Sequence, residues 1–552
     1  MKYRLALAGT LVLATVFRVW GLTWGLYNAT VSRRPHPDEW VVYWLFRWFD
    51  HNGNLDPCPR TGQCFFDWGT VFLYLGYAIR HVTNPVLALL PPHAFGPSAD
   101  PLFIQAVLAG RVTSVVLSVL TVFLAYLFAA RAYDPLAGIL ASLAVASSGL
   151  LIQLAHFATP DSTTAFLVVL TLLASLFAVD RPVPWLMVAG LAGGLALGTE
   201  YHMILLAIPV TVAWWLGPRR GWTLLSSAAT FIAVAFATNV YALIHLSAWV
   251  DAFAHTVNSR TVGSAETYQN RFAPYGPSYL YVIRYPLGYG VGFALTACYL
   301  AGVVYALKHR RPADILLLSW LVPYFILVTV SSAKFMRYSA PLIPTLAIFA
   351  GALLSWLLQQ RDVRFRVGVA ALAVFAVAWT WVYDGAYVGL FASTDTRVAE
   401  TNWLKHHVRP HSQIAFEMLP NGLFNLPYFV SAAGYRPCVA NFKTVDLAGP
   451  MRYVVTDEYS LEDHHLISTS RVMRFSSALT ADPRYKLVHR VHYVPTFLGL
   501  TFPIDGSPHD WRYPAHVIET YENEAPEPAP TACFATLAAA QRALYVPQAA
   551  AR

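Results

Sequence analysis

A succession of apolar runs fills the first 390 residues, and a chain that enters a bilayer repeatedly has few folds open to it. Hydrocarbon offers no water to the backbone, so each crossing segment must satisfy its own N–H and C=O groups, and the runs are expected to be helices. A crossing takes about 20 apolar residues, which divides the sequence into about eleven stretches. They are roughly 5–26, 104–130, 136–154, 162–179, 185–200, 203–216, 222–246, 281–307, 313–331, 338–358 and 367–389. Of 552 residues, 56% are hydrophobic and only 12% charged. A soluble domain carries about 25% charged residues, so this class is excluded. Lys2 and Arg4 precede the first run, which lacks a small-residue cleavage site and is read as an anchor.

The net charge of +8 sits largely in short loops. It is explained by the positive-inside rule and gives no basic patch suited to nucleic acid. The clusters are Lys2/Arg4, Arg131, Arg181, Arg219/Arg220, Lys308/Arg310/Arg311 and Arg361/Arg364/Arg366. Eleven crossings put all of them on the cytoplasmic side. Fusing the short runs 185–200 and 203–216 would turn the later clusters outward. A crossing at Trp68–Leu90 would do the same to most of them. That stretch contains Arg80, His81 and Asn84 and is read as an amphipathic helix on the outer surface. The expected architecture is a polytopic α-helical membrane domain, residues 1–390, with a long outer loop at 27–102. A small extracytoplasmic α/β domain follows at 391–552.

In that last part the apolar runs stop. Residues 395–408 read as a helix, with Ala399/Trp403 and Leu404/Val408 four apart and Pro410 as the stop. Gln413–Leu419, Met451–Thr456, Tyr485–Val494 and Ala515–Tyr521 read as strands, and the Pro/Glu-rich 522–530 as a flexible tail. Cys58 and Cys64, six apart in a Pro/Gly-rich turn of the outer loop, could form a disulfide or remain two thiols. Cys438 and Cys533 also fall outside, and Cys298 lies within a span. No Cys or His set has zinc-finger spacing.

The candidate chemistry lies on the outer side. Asp38 and Glu39 follow Arg33-Arg34-Pro35-His36-Pro37. Pro37 fits the first position of a helix and the two acids its first turn, so an ordinary helix start competes with a catalytic pair. His156-Phe157-Ala158-Thr159-Pro160-Asp161 puts an acid where a span begins, again a position that suits a helix N-terminus. Lys334 and Arg337 sit three apart against the positive-inside bias, followed by Tyr338. Snorkelling to lipid head groups would explain them, and so would an anionic ligand. Arg111 is a lone cation near the outer end of its span and could pair with an acid or with the same anion. Glu266, Tyr268, Gln269, Asn270, Arg271 and Tyr275 suit a substrate lid or an exposed loop.

Taken in order, several segments carry a family resemblance. They are PHPDEW, GRVTSVVLSVLTVFLAYLFAARAY, HFATPD, KFMRYSAPLIP and DTRVAETNWLKHHVRPHSQIAFE. Together they resemble the GT-C superfamily of membrane glycosyltransferases, in particular the branch of protein O-mannosyltransferases and the bacterial aminoarabinose–lipid A transferase. Tyr43 roughly fills the family's tyrosine after the acidic pair, whereas the Pro35-His36-Pro37 lead-in is less typical.

The resemblance implies transfer of a sugar from a polyprenyl monophosphate to a hydroxyl of protein, lipid or envelope glycan, at the extracytoplasmic face of the plasma membrane. Phosphate is a competent leaving group, so the chemistry needs a carboxylate base for the acceptor and fixed cations for the departing charge. On this resemblance Asp38 is the base and Glu39 a positioning group. Lys334 and Arg337, with Arg111 and Tyr338, meet the phosphate. Asp161 and His156 meet the sugar or orient a cation. Asp161 could instead ligate a divalent cation, which nothing in the sequence demands. The alternatives are a lipid-linked-sugar transporter or flippase, disfavoured by the scarcity of charge at span centres, and a non-catalytic membrane receptor. Eleven crossings make one topology measurable: a reporter fused at Arg552 reads extracytoplasmic and one at Arg219 cytoplasmic. Both on one side would refute it.

Overall fold

The structure, a computed structural model, describes residues 2–58, 64–91, 93–257, 275–416, 426–439, 452–458 and 479–523. The membrane part comprises α1 (Lys2–Val19), α2 (Glu39–Asn52), α3 (Val71–Leu87), α4 (Pro101–Ala132), α5 (Pro135–Ala146), α6 (Gly149–Ala155), α7 (Asp161–Asp180) and α8 (Pro182–Leu197). It continues through a 3-10 turn, Tyr201–Leu206, to α9 (Ala207–Leu216), α10 (Gly221–Thr238), α11 (Val240–Ile244), α12 (Leu246–Val257) and α13 (Ser278–Val282). After α14 (Phe293–His309) and α15 (Pro312–Val330), a second 3-10 turn, Met336–Leu342, leads into α16 (Ile343–Leu358), which is followed by α17 (Val363–Ala392).

Among the described residues, 6 helices are long and apolar enough to cross a membrane unaided, and up to 7 if α5 and α6, bent by 59°, make one passage. Three shorter apolar helices cover 182–197, 201–216 and 293–309. All eleven apolar stretches therefore fall on helices, but length and composition single out fewer than eleven as spans. The shortfall has local causes. Thr199 and Glu200 break one run, and Pro286 sits in a π-turn before α14.

Several breaks are held by polar groups rather than left open. The α5/α6 bend frees carbonyls that a continuous helix would use. Arg18 of α1, wholly buried, donates to Val145 O and Ala146 O, both at 3.3 Å, and to Ser118 Oγ at 2.7 Å. The break at the end of α8 receives the outer loop. Gly69 N donates to Thr199 O at 2.9 Å and Val71 N to Gly198 O at 3.2 Å. A Cβ on Gly69 would lie 2.1 Å from Gly198 O, so only glycine permits this approach.

In the loop 27–102, α3 occupies the ambiguous 68–90 stretch. It buries Val71, Phe72, Leu73 and Gly76 and exposes Val82 and Val86. It is tied to α2 by Arg80, whose two terminal nitrogens meet the Asp50 carboxylate at 2.6 and 2.8 Å. Cys58 and Cys64 form a disulfide.

The C-terminal part opens with α18 (Thr396–His407), whose N-cap Asp395 accepts from Arg397 N, and includes α19 (Leu426–Ala432). Its strands are β1 (Gln413–Phe416), β2 (Arg436–Val439), β3 (Tyr453–Asp457), β4 (Tyr485–Val491), β5 (Thr496–Phe497), β6 (Leu500–Thr501) and β7 (Ile518–Asn523). Five form a mixed sheet in the order β2-β1-β3-β7-β4, with β2, β1 and β3 parallel and β7 antiparallel to β3 and β4. The four expected strands appear, β3, β4 and β7 shortened or shifted by a few residues and β1 described as far as Phe416; β2, β5 and β6 were not expected. Glu522 and Asn523, read as the start of a flexible tail, end β7 instead; 524–530 lie outside the described residues. So do Cys533, Glu266, Tyr268, Gln269, Asn270 and Arg271. Between β6 and β7, residues 507–516 are buried without interruption. There Trp511 stacks on Tyr387 of α17 at 4.0 Å, and Gln153 of α6 donates to Asp510 O at 2.6 Å. The sheet domain thus sends a polar plug into the helical part.

Candidate active site

Three helical starts converge at one end of the helices. Helix α2 begins at Glu39, two residues later than Pro37 suggested, and leaves Asp38 at the N-cap. An N-cap aspartate ordinarily turns its carboxylate back onto the free amides of the first turn. Asp38 makes no such bond. Its Oδ2 accepts from Arg337 Nη1 at 2.5 Å, across 299 residues of sequence. Burial by itself raises the Asp38 carboxyl, and its cationic neighbours, Arg337 foremost, together outweigh burial and hold the pKa below its ordinary value. The charged carboxylate is therefore the standing form.

Glu39 faces the other way. Adjacent residues on a helix point about 100° apart, and Glu39 is fully buried. It forks with Arg111 of α4, Oε1 to Nε at 2.7 Å and Oε2 to Nη2 at 3.0 Å. Arg111 Nη1 donates to Leu22 O at 2.7 Å and Trp24 O at 3.0 Å. Glu39 also accepts from His36 N and Ala158 N, each at 3.3 Å. Of the two partners expected for Arg111, an acid or a substrate anion, the structure shows the acid.

His156 is also engaged inside the protein. It is wholly buried, with its ring nitrogens 2.8 and 2.9 Å from the carbonyls of Ile152 and Trp20, and stacks on Phe391. His36 completes the mount of Asp38. Its Nδ1 accepts from Asp38 N at 3.1 Å, and its ring lies between Phe157 and Tyr513. Burial first, and then its cationic neighbours against the pull of Asp38, push its pKa down to about 3. It is neutral, as acceptance at Nδ1 requires.

Lys334 and Arg337 do not share a helix face, contrary to expectation. Phe335 is extended and the 3-10 turn starts at Met336, so the two side chains separate. Lys334 reaches toward Gly276 O at 3.4 Å, and burial lowers its pKa. Arg337 turns to Asp38 and lies over the rings of Phe335 and Tyr338, at 5.1 and 5.7 Å.

Arg337, Tyr338 and Asp161 line a cavity of about 290 Å³. Its wall also carries Asp67, Glu200 and His202, none singled out by sequence, among Trp68, Tyr201, Phe253 and Tyr324. His202 Nε2 stands 3.1 Å from both Glu200 Oε2 and the Tyr324 hydroxyl. A signal for this wall existed: Glu200 is an acid at the break between two short apolar runs. The cavity unites a guanidinium, carboxylates and aromatic faces, which suits an anionic group beside a polyhydroxylated one. Among the described residues, Cys58, Cys64 and His245 are the one group of three metal-type ligands within 4.8 Å, and the disulfide occupies both sulfurs.

Residues 101–245 match the dolichyl-phosphate-mannose-protein mannosyltransferase family. No curated protein matches the sequence. Among solved structures, the chain is similar to ArnT from Cupriavidus metallidurans bound to undecaprenyl phosphate, with TM-score 0.51 and 14% identity over 94% of this chain and 97% of that one. It is similar to the Archaeoglobus fulgidus oligosaccharyltransferase in the apo form, with TM-score 0.54 and 15% identity over 92% of this chain and 75% of that one. The oligosaccharyltransferase AglB of that organism, in complex with an inhibitory peptide and a dolichol-phosphate, gives TM-score 0.52 and 14% identity over 92% and 75%. At identities this low the likeness shows the fold alone, and with the apolar helices it marks an integral, multi-pass membrane protein.

The Glu39–Arg111 fork carries its own expectation. Arg111→Ala strands a buried carboxylate, which costs about 3–5 kcal/mol. A thermal melt of the purified variant in detergent should show a large loss; a melt equal to wild type would mean the fork is not structural.

Proposed function

We propose that this chain, which has the GT-C fold and resembles the protein O-mannosyltransferase and aminoarabinose–lipid A transferase branch, transfers a sugar from a polyprenyl monophosphate to a hydroxyl acceptor with inversion at the anomeric carbon. The observation that carries the reading is the N-cap carboxylate of Asp38, withheld from its own helix and paired with an arginine that lines a cavity. A helix-start aspartate has no reason to forgo its cap; a base beside a phosphate-binding cation does.

In the proposed step, the acceptor oxygen forms a bond to the anomeric carbon as the bond from that carbon to phosphate oxygen breaks. The acceptor proton passes to Asp38, and the electron pair leaves with polyprenyl phosphate. Arg337 offsets the charge that grows on the departing phosphate. Asp161, with Glu200 and His202, hydrogen-bonds the sugar, and Tyr338 closes the wall beside Arg337. Glu39, Arg111 and His156 act by holding the site rather than by touching substrate. Lys334 lies off the cavity wall and is assigned a lesser part in drawing phosphate to the surface. The active site belongs on the extracytoplasmic face of the plasma membrane, with eleven crossings and residues 391–552 outside. A hexosyl and a pentosyl donor are equally compatible with this reading.

Two substitutions test it on purified protein supplied with a polyprenyl-phosphate sugar and an acceptor. Asp38→Asn keeps size and capping ability, so turnover should fall by about 10²–10⁴-fold with donor binding near wild type. Full turnover would return Asp38 to a helix start. Arg337→Ala removes a charge-assisted contact worth about 1.5–3 kcal/mol, or roughly 10- to 150-fold in donor affinity. Lys334→Ala should cost clearly less; a larger loss at Lys334 would reverse the two assignments.

A further inference from the structure

Both halves of the Asp38–Arg337 pair are held from the C-terminal domain. On the arginine side, Asp510 Oδ2 accepts from Met336 N at 2.6 Å, the backbone amide next to Arg337. Phe335 packs edge-on against His509 at 5.3 Å. On the carboxylate side, Arg397 Nη1 donates to Arg34 O at 3.0 Å and Nη2 to Pro35 O at 3.2 Å. Asp395 in turn fixes Arg397, with Oδ2 to Nη2 at 2.5 Å. Tyr513 covers His36, and His36 fixes the amide of Asp38. Asp510, Arg397 and Tyr513 are all buried.

This exceeds what joining two domains requires. The contacts fall on the residues that flank the pair, and two of the three are charge-assisted hydrogen bonds, shorter and stronger than neutral ones. Phe335 is extended and the turn after it is 3-10, so no α-helical ladder fixes the rotation of Arg337. The Asp510 bond to Met336 N supplies that constraint.

We infer that Asp510 is a positioning residue that sets the aim of Arg337 at Asp38, so that the C-terminal domain completes the active site rather than merely adjoining it. The inference rests on the reading of Asp38 as base and Arg337 as its charged partner. The groups facing Asp38 are Arg337 from the 3-10 turn, His36 and Arg34 from its own lead-in, and Asp161 from the start of α7. Among them Arg337 is the strongest influence keeping the carboxylate charged. If Arg337 swings away, protonation of Asp38 becomes easier and its pKa rises. A base works only as the carboxylate, so the acid limb of the pH–rate profile should then move to higher pH.

The experiment measures kcat/KM against pH for the full-length protein with a polyprenyl-phosphate sugar, alongside melting temperatures. Asp510→Ala should lower kcat/KM at least about tenfold and move the acid limb upward. Asp510→Asn keeps an oxygen for Met336 N and should restore both. An unmoved acid limb in Asp510→Ala overturns the inference, whether activity is normal or reduced, because lost stability alone lowers the amplitude without shifting the limb. Where Asp510→Ala does not accumulate as folded protein, Asp510→Ser, too short to reach Met336 N, takes its place with the same two outcomes. Asp38→Asn in the same assay separates the two levels. Full activity there refutes the base assignment itself; a dead Asp38→Asn with an unmoved limb in the Asp510 variant refutes only the positioning role.

Discussion

The buried fork between Glu39 and Arg111 decides where everything at the site points. Two adjacent acids at a helix start cannot face the same direction. Arg111 binds one of them in the interior, and two carbonyls of the α1–α2 connection, Leu22 O and Trp24 O, take its remaining terminal nitrogen. With Glu39 fixed inward, Asp38 is turned to the cavity side, where Arg337 meets it. The fork is isolated from water, so its two charges must match: a buried pair tolerates loss of either partner poorly. The amides of His36 and Ala158 on the same carboxylate tie the Asp38 lead-in and the Asp161 lead-in to one anchor. Asp38 and Asp161, distant in sequence, thereby acquire a common frame.

Legibility in the sequence followed chemistry more closely than burial. Asp38, Asp161 and Arg337 stood out because charge at the edge of an apolar run needs a reason; Asp161 and Arg337 line the cavity, and Asp38 pairs with Arg337. Glu39 and Arg111 stood out for the same reason, but whether a charge faces substrate or a buried partner depends on packing that spacing does not encode. His156 was assigned to the sugar from the family resemblance, and the structure places its ring nitrogens near two carbonyls in the core. Lys334 and Arg337 looked like one face because an α-helix was assumed, and the chain adopts an extended segment and a 3-10 turn there instead.

Two further features were hidden by composition. Strand β2 is four residues with a proline, Arg436-Pro437-Cys438-Val439, too short and irregular to signal a strand. The stretch Ser507-Pro508-His509-Asp510-Trp511-Arg512-Tyr513 has the polarity and proline of a surface loop, yet it is buried throughout. Several of its polar groups find partners there. Asp510 accepts from Met336 N, and Arg512 donates to Ser507 O at 3.0 Å and pairs with Glu458. Polarity in this segment reports the polar surface it fills and not solvent.

On the proposed reading, the sharing of Arg337 links donor binding to the base. Two unit charges 4 Å apart interact by about 4 kcal/mol at an effective dielectric of 20, so a phosphate entering the cavity competes with Asp38 for the same guanidinium. On the proposed reading, the phosphate draws Arg337 toward itself and leaves Asp38 with less of the charge that depresses its basicity. The carboxylate becomes a better proton acceptor when the donor arrives, and is a weak, ion-paired one before. Asp161 extends the effect, since it lies on the same cavity wall and feels Arg337 from the other side. A guanidinium with fixed planar donors can divide itself among three anions in this way, whereas an ammonium would favour one. That is a physical reason for arginine at position 337, and for the hydrogen bond at Met336 N that keeps its backbone from following whichever anion pulls hardest.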